Sequence, residues 1–486
     1  MTELALVLAI PFAAALLLAV IGHKAWAAEI NIGASLLTLL AAGALALRVA
    51  RAGTLLLLAE QFLVDPLNVF LIALTALVGF TTSVFSRGYV RAERAHGRLS
   101  AGRLRLYHGM FQMFMFTMFL ALSTNNLGIL WVAMEAATLA TLPLVAIYRT
   151  PESLEAAWKY FILCGVGIAQ ALFGAILIYF AAEQVLGHEP GAMLWTRLYA
   201  FRGQLEPTVL SLAFVFTIIG YGAKTGLAPL HAWLPDAHAE SPAPVSAVLS
   251  GLLLNVALYA ILRCKALVDG ALGTPFAGKL MMGFGLLSVV VAAFCLSRQK
   301  DVKRLFGYSS IEHMGLMTFA FGMGGHVAAF AGLLHMCAHS LAKSAVFFAV
   351  GRAAQLAGTQ IMDGIKGLTR SAPAVGWALM LAALAILGMP PFGLFASEFM
   401  ILAAAVKEHA WAAPILFIAL GVAFAAMFAR VQAMAFGDPE AETPGENAGA
   451  AAMAPVYLHL ALALMLGLWV PFHLAEWFRQ AARVIG

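Results

Sequence analysis

Eight ionisable residues sit where apolar sequence surrounds or adjoins them: Glu135, Lys159, Lys224, His231, His335, His339, Lys343 and Glu398. His335, His339 and Lys343 recur at i, i+4 and i+8. On a helix that spacing gives one slowly drifting stripe about 12 Å long. Histidine takes up and releases a proton near neutral pH, and a desolvated lysine gives up its proton more readily than a solvated one. With water in the gaps, such a stripe relays protons. Glu135 in LWVAMEAATLA, Lys224 in GYGAKTGLAPL and Glu398 after GMPPFG offer the same chemistry elsewhere in the chain. Lys224 and Glu398 each adjoin a glycine–proline helix breaker. Proline in a helix removes a hydrogen bond, and carbonyls freed at membrane depth need protein or water as partners. Lys224 is therefore expected beside a water-accessible break.

Each position also has a plainer reading. Lys159, in AAWKYF near the start of its span, can snorkel to the interface. His231 and His238 can cap loop backbone, and Asp236 suits an N-cap of the span that follows. For Glu135, Lys224, Lys343 and Glu398 the plain reading is a buried ion pair that only fixes packing. A charge at the bilayer centre costs about 2.5–3.5 kcal/mol on insertion scales, so the functional reading is preferred. Glu312 and His313, after a Tyr-Ser-Ser turn, have open roles. His335 and His339 have metal-ligand spacing, but no third ligand lies near them in sequence, so no metal is expected.

Other chemistry is missing. Cys164, Cys264, Cys295 and Cys337 are too far apart for a CxxC motif and read as small core residues. There is no HExxH, P-loop or dinucleotide fingerprint, and GMGGH at 322–326 lacks the strand–turn–helix context. No ligand cluster suits iron–sulfur, haem or flavin, so no cofactor is expected. The purified chain should contain no stoichiometric iron or flavin, which elemental analysis and absorption spectroscopy check.

These residues are carried by a chain of 486 residues that is 62% hydrophobic and 11% charged. Soluble domains carry about 25% charge, so this is an all-α polytopic membrane protein. The N-terminal apolar run lacks a basic leader and reads as the first span. About fourteen spans follow from runs of some 20 apolar residues, among them 124–148, 155–181, 208–230, 243–263, 301–323, 327–350, 373–407 and 454–475. Spans 7 and 12 are broken, by GLAPL and GMPPFG. Lys224 and Glu398 are 398 − 224 = 174 residues apart, and Lys159 and Lys343 are 343 − 159 = 184 apart. The two offsets nearly agree. They imply two inverted five-helix repeats, 106–263 and 264–435, between an N-terminal three-helix segment (1–105) and a C-terminal part with an acidic loop and span 14 (436–486).

The 87–105 loop holds six arginines against Glu93, and the 298–304 turn holds Arg298, Lys300, Lys303 and Arg304 against Asp301. By the positive-inside rule both are cytoplasmic, which puts both termini outside a prokaryotic inner membrane. The acidic 436–453 loop then falls on the cytoplasmic side, a mild inconsistency. The net charge of +5 is spread over loops as a topology signal, and no nucleic-acid partner is expected.

GAKTGLAPLHAWLPDAHAESPAPVSA, LLHMCAHSLAKSAVFF and GMPPFGLFASEFMIL resemble the antiporter-like membrane subunits of respiratory complex I, of Mrp-type cation/proton antiporters and of energy-converting hydrogenases. The likeness covers nearly the whole chain. FGYSSIEHMGLMTFAFGMGG at 306–325 is most similar to the hydrogenase-4 component F branch. The resemblance implies that Glu135 and Lys224 form the inlet pair. It makes Lys343 with His335 and His339 the central relay, and Glu398 the exit residue. Lys159 and His231 are secondary relay candidates. It implies proton translocation driven by a soluble redox module through neighbouring membrane subunits, with Na⁺ as a possible coupling ion. Two departures stand out. Ser250 and Asn255 occupy span eight where a charged bridge residue is common, and no long lateral helix follows span 14. Two other functions compete: an Mrp-type cation/proton antiporter, and a membrane partner of an inorganic-carbon uptake protein.

Overall fold

The structure, a computed structural model, describes residues 2–187, 189, 191–438 and 450–486. Glu440, Glu442 and Glu446 of the acidic loop lie outside the described residues. The helices run α1 (Thr2–Ile21), α2 (Ala27–Ala52), α3 (Pro66–Ala95), α4 (Ala101–Ser123), α5 (Leu127–Val145), α6 (Pro151–Leu186) and the short α7 (Trp195–Ala200). Next come α8 (Pro207–Thr225), α9 (Trp233–Glu240), α10 (Ala243–Val248), α11 (Leu254–Leu272), α12 (Phe276–Leu296), α13 (Val302–Met323) and α14 (His326–Ala357). The chain closes with α15 (Leu368–Ser371), α16 (Pro373–Ile386), α17 (Gly393–Glu408), α18 (Ala413–Phe436), α19 (Ala454–Leu468) and α20 (Phe472–Ile485). A π-turn, Leu249–Leu253, joins α10 to α11. The expected all-α fold has one small addition, an antiparallel hairpin of Leu55–Leu57 with Phe62–Val64 between α2 and α3.

Among the described residues eleven helices are long and apolar enough to cross a membrane, or twelve if α19 and α20, bent by 69°, form one span. Fourteen were expected. The shortfall has a physical cause: α13 carries Lys303, Arg304 and Glu312, and α16 and α17 are each short because GMPPFG separates them.

Local chemistry sets the helix ends. Asp65 caps α3 by accepting from the Leu67 and Asn68 amides, while the Asn68 side chain accepts from the Asp65 amide. Thr150 caps α6 ahead of Pro151, and Asp301 caps α13. Glu206 caps α8, and the Val209 amide holds its carboxyl below the usual range. Gly226 ends α8 in the left-handed region (φ 80°), with Leu227 N–H returning to the Gly222 carbonyl at 2.9 Å and Gly226 N–H to Ala223 at 3.2 Å. Gly388 (φ 63°) ends the α16 segment in the same way, with Met389 N–H on the Leu384 carbonyl at 3.1 Å.

Helices α10, α11 and α14 run through the middle with both faces covered, while α1, α6 and α18 expose apolar side chains outward, such as Trp158, Ile162, Val166 and Phe180 on α6. Two helix pairs pack backbone to backbone through glycine. Between α6 and α8, a Cβ on Gly220 would meet the Gly167 carbonyl at 2.7 Å, and one on Gly174 the Ala213 carbonyl at 2.9 Å. Between α12 and α13, Cβ atoms on Gly285 and Gly315 would meet each other's carbonyls at 2.6 and 2.7 Å. Real Cβ atoms do not approach that closely, so only glycine permits these seams.

Candidate functional site

The α8 break and α5 build the first cluster. Lys224 lies in the last turn of α8, where a cation suits the helix dipole, and it is fully buried. Its Nζ donates to the Met134 carbonyl at 2.8 Å and to Thr138 Oγ1. Thr138 Oγ1 in turn lies 3.5 Å from Glu135 Oε2. Glu135 is half-buried, and no direct Glu135–Lys224 ion pair forms within 4.0 Å. The expected pair is therefore brought together with a hydroxyl between its members. Thr138 was missed from sequence because a helical threonine ordinarily satisfies itself on a carbonyl one turn back. At the break the Ala223 carbonyl accepts from Trp233 Nε1 at 2.8 Å as well as from Gly226 N–H at 3.2 Å.

Lys159 lies apart from this cluster. Its side chain is 45% exposed and pairs with Glu155 (2.7 Å) and Asp236 (3.0 Å). Asp236 also takes Arg304 at 3.0 Å. Asp236 is thus not a cap of the next span. It sits within α9, and α10 starts after Pro242, because the chain makes an extra turn of helix between the break and the span. His231 lies at the break, half-buried, with Nδ1 unpartnered and its ring edge-on to Tyr308 at 6.4 Å. His238 does not cap backbone as its plain reading had it. Its ring is buried and neither nitrogen has a partner.

The second cluster joins α13, α14 and α17. His335, His339 and Lys343 are all fully buried on α14. His335 Nε2 meets His313 Nδ1 of α13 at 3.1 Å, and His335 Nδ1 meets Ser397 Oγ of α17 at 2.9 Å. His313 Nδ1 is 3.7 Å from Glu398 Oε1. The His339 ring lies 5.4 Å from that of His313, with both nitrogens free of partners. Lys343 Nζ donates to the Phe306 carbonyl at 2.9 Å, and Glu312 Oε2 is buried with no partner. Lys343 and Glu312 are close enough to act on each other electrostatically. Glu312 and His313, left open by sequence, thus complete this cluster.

One ligand atom from each of His313, His335 and Glu398 lies within 4.8 Å of the other two, a donor set that can hold a divalent metal. The further ligands absent from the local sequence come from other helices. The same atoms lie in a row, 3.1 Å from His335 to His313 and 3.7 Å from His313 to Glu398. Gly388 fixes its last member: a Cβ there would collide with the Glu398 carboxylate. Gly388→Ala should therefore displace that carboxyl and slow proton transfer as Glu398→Gln does, while the protein still inserts. Vesicle pumping assays on both variants test this, and normal pumping by either makes Glu398 a packing residue.

A fully buried lysine thus lies at a broken helix end with a glutamate one hydroxyl away, and a buried lysine–histidine row ends on a second break. The family model described as NADH:quinone oxidoreductase/Mrp antiporter, TM, matches residues 124–425, and the chain belongs to this family. The chain is 48% identical over 87% of its length, and 88% of the relative's, to the hydrogenase-4 component F homolog of Methylacidiphilum infernorum. It is 33% identical over 75% of its length, and 80% of the relative's, to NADH-quinone oxidoreductase subunit 14 of Thermus thermophilus. Among solved structures, a chain of the archaeal membrane-bound sulfane sulfur reductase matches over all of this chain and 98% of its own (TM-score 0.88, 25% identity). A chain of the Mrp complex from Dietzia sp. shares the fold over the same spans (TM-score 0.87, 20% identity).

Proposed function

We propose that this chain is a proton-translocating, antiporter-like membrane subunit of a redox-driven complex, with membrane-embedded neighbours and a soluble redox module on the side of the basic loops. The observation that carries this reading is Lys224, fully buried, hydrogen-bonded to Thr138 and through it linked to Glu135. Burial without a fixed counter-ion suits a lysine that changes its proton occupancy during turnover. Glu135 and Lys224 take up a proton; Lys343, His339, His335 and His313 pass it on; Glu398 releases it. His231 has a secondary place in this row. Lys159 serves in the Asp236 ion-pair set rather than as a carrier.

In this reading fourteen spans are counted by adding α13 and by joining α16 with α17 across their break. The spans form two inverted five-helix units, 106–263 and 264–435. A further offset supports them: Glu135 and Glu312 are 312 − 135 = 177 residues apart, close to the 174 between Lys224 and Glu398. The basic 87–105 loop then faces the cytoplasm and both termini face outward. A C-terminal fusion reporter active only in the cytoplasm would reverse this orientation.

Proteoliposomes holding the complex test the function. Redox turnover should acidify one compartment, and no proton movement in tightly sealed vesicles would exclude it. The shared fold with an Mrp complex chain favours one second reading, a cation/proton antiporter. Sodium-22 flux coupled to protons, without redox turnover, would select that reading instead.

A further inference from the structure

The turn between α1 and α2 closes onto the basic ends of α3 and α4. Gly22 follows the last residue of α1, and a Cβ on it would meet the Arg105 Cα at 2.9 Å, so the turn sits directly on the α4 backbone. Gly22 N–H on the Leu18 carbonyl at 2.8 Å and Lys24 N–H on the Ile21 carbonyl at 2.9 Å hold it there. Between this turn, α3 and α4 lies a cavity of about 220 Å³.

The cavity wall carries four cations, Lys24, Arg87, Arg91 and Arg94. The three arginines recur at i, i+4 and i+7 on α3, which sets them on one face of that helix. One carboxylate stands beside them. It belongs to Glu29 in the first turn of α2, and its Oε1 accepts from Arg87 at 3.0 Å and from Arg91 at 2.6 Å. No acidic side chain among the described residues pairs with Lys24 or Arg94. Four cations against one carboxylate leave 4 − 1 = 3 positive charges around one concavity. Like charges one helical turn apart repel, so the arrangement favours an anion supplied from outside.

Two further observations point to what that anion is. The ring of His108, only 3% exposed, borders the cavity from α4, and its Nδ1 has no hydrogen-bond partner, which is uncommon for a buried polar atom. The surroundings set the depth. α1 is apolar to its end and exposes Leu16, Leu17 and Val20 in its last turns, while Trp26, two residues past Lys24, is half exposed. Tryptophan gathers where a membrane meets water. The cavity therefore lies at headgroup level, with apolar surface for acyl chains beneath it. A free anion gains nothing from that apolar wall, and a phospholipid does.

We infer that this cavity binds the phosphate of an anionic phospholipid from the leaflet on the basic-loop side. The inference is independent of the proton chemistry. Lys24 and Arg94 are the principal contacts, and Arg87 and Arg91 are shared with Glu29. Guanidinium forks match phosphate oxygens, and basic pockets at the ends of membrane helices suit anionic headgroups. Phosphatidylglycerol, whose phosphate charge is uncompensated, fits. Phosphatidylcholine would bring a further cation into the pocket and does not.

The test titrates the assembled, delipidated complex in detergent with phosphatidylglycerol and counts bound lipid by native mass spectrometry. The Lys24→Gln, Arg94→Gln double variant should retain one phosphatidylglycerol fewer, or hold it about tenfold or more less tightly. Neither side chain has a partner to lose, so assembly should survive. Ala25→Cys places a thiol in the cavity wall. Phosphatidylglycerol should slow its reaction with monobromobimane, and phosphatidylcholine or inorganic phosphate should not. If the double variant fails to assemble, the thiol experiment decides alone. Unchanged lipid retention in the double variant, or equal protection by phosphatidylcholine, overturns the site. Protection by inorganic phosphate as strong as that by phosphatidylglycerol overturns the lipid in favour of a free anion. An Ala25→Cys thiol that stays unreactive without lipid shows a neighbouring subunit over the cavity and overturns the proposal as well.

Discussion

Replacing Glu135 with Gln, or Lys224 with Met, cuts proton transport by at least about tenfold, and the double replacement costs little more than the worse single one. The expectation follows from the contact between them. Lys224 Nζ and Glu135 Oε2 share Thr138 Oγ1, so each residue acts through the same hydroxyl. Removing the carboxylate takes a counter-charge from a fully buried lysine, and removing the lysine leaves the carboxylate without its cation. Either loss stops the same exchange, so the second has little left to remove. Thr138→Val separates this from a purely long-range effect. It keeps both charges and deletes only the bridge, and an intermediate loss is expected. Pumping by vesicles carrying the two singles, the double and Thr138→Val, with assembly checked on a native gel, measures all four. Independent, multiplicative losses would show that the two residues work apart.

A second large effect is expected at Glu312. Its Oε2 is buried without a hydrogen-bond partner, and Lys343 is the opposing charge that acts on it. An unpaired buried polar group costs about 1–3 kcal/mol of stability. If Glu312 were only structural, Glu312→Leu would stabilise the protein and leave transport alone. With Glu312 as the partner of Lys343, the same change leaves a buried lysine without its counter-charge, so thermal stability falls by a few degrees and transport falls severely. The joint loss is the signature, and a fluorescence melting curve beside a pumping assay reads both. A loss of stability together with normal pumping would remove Glu312 from the mechanism.

The sequence made isolated charges visible because Glu135, Lys224 and Lys343 interrupt long apolar runs, where insertion is costly. The two breaks were visible for a similar reason, since glycine and proline have fixed local consequences. Glu312 and His313 were harder to assign. They follow Tyr308, Ser309 and Ser310 near the charged start of α13, so their polarity does not stand out. The meeting of His313, His335 and Glu398 could not be read at all, because it depends on how α13, α14 and α17 pack. Asp236 was misassigned because local pattern offers a cap, while its ion pairs come from Lys159 and Arg304, both far away in sequence.

The glycine seams have a mechanical consequence. Where α6 meets α8 and α12 meets α13, the backbones approach with only small side chains, such as Ala171, Thr217 and Ser288, at the contact. Each pair therefore behaves as a stiff beam, and a push at one end is transmitted to the other with little give. The break after Lys224, residues 226–232, carries no helical hydrogen-bond ladder and is the joint about which the α8 lever turns. The break ahead of Glu398, residues 387–392, is itself clamped, because a Cβ on Gly467 of α19 would collide with the Pro391 carbonyl and the Phe392 backbone.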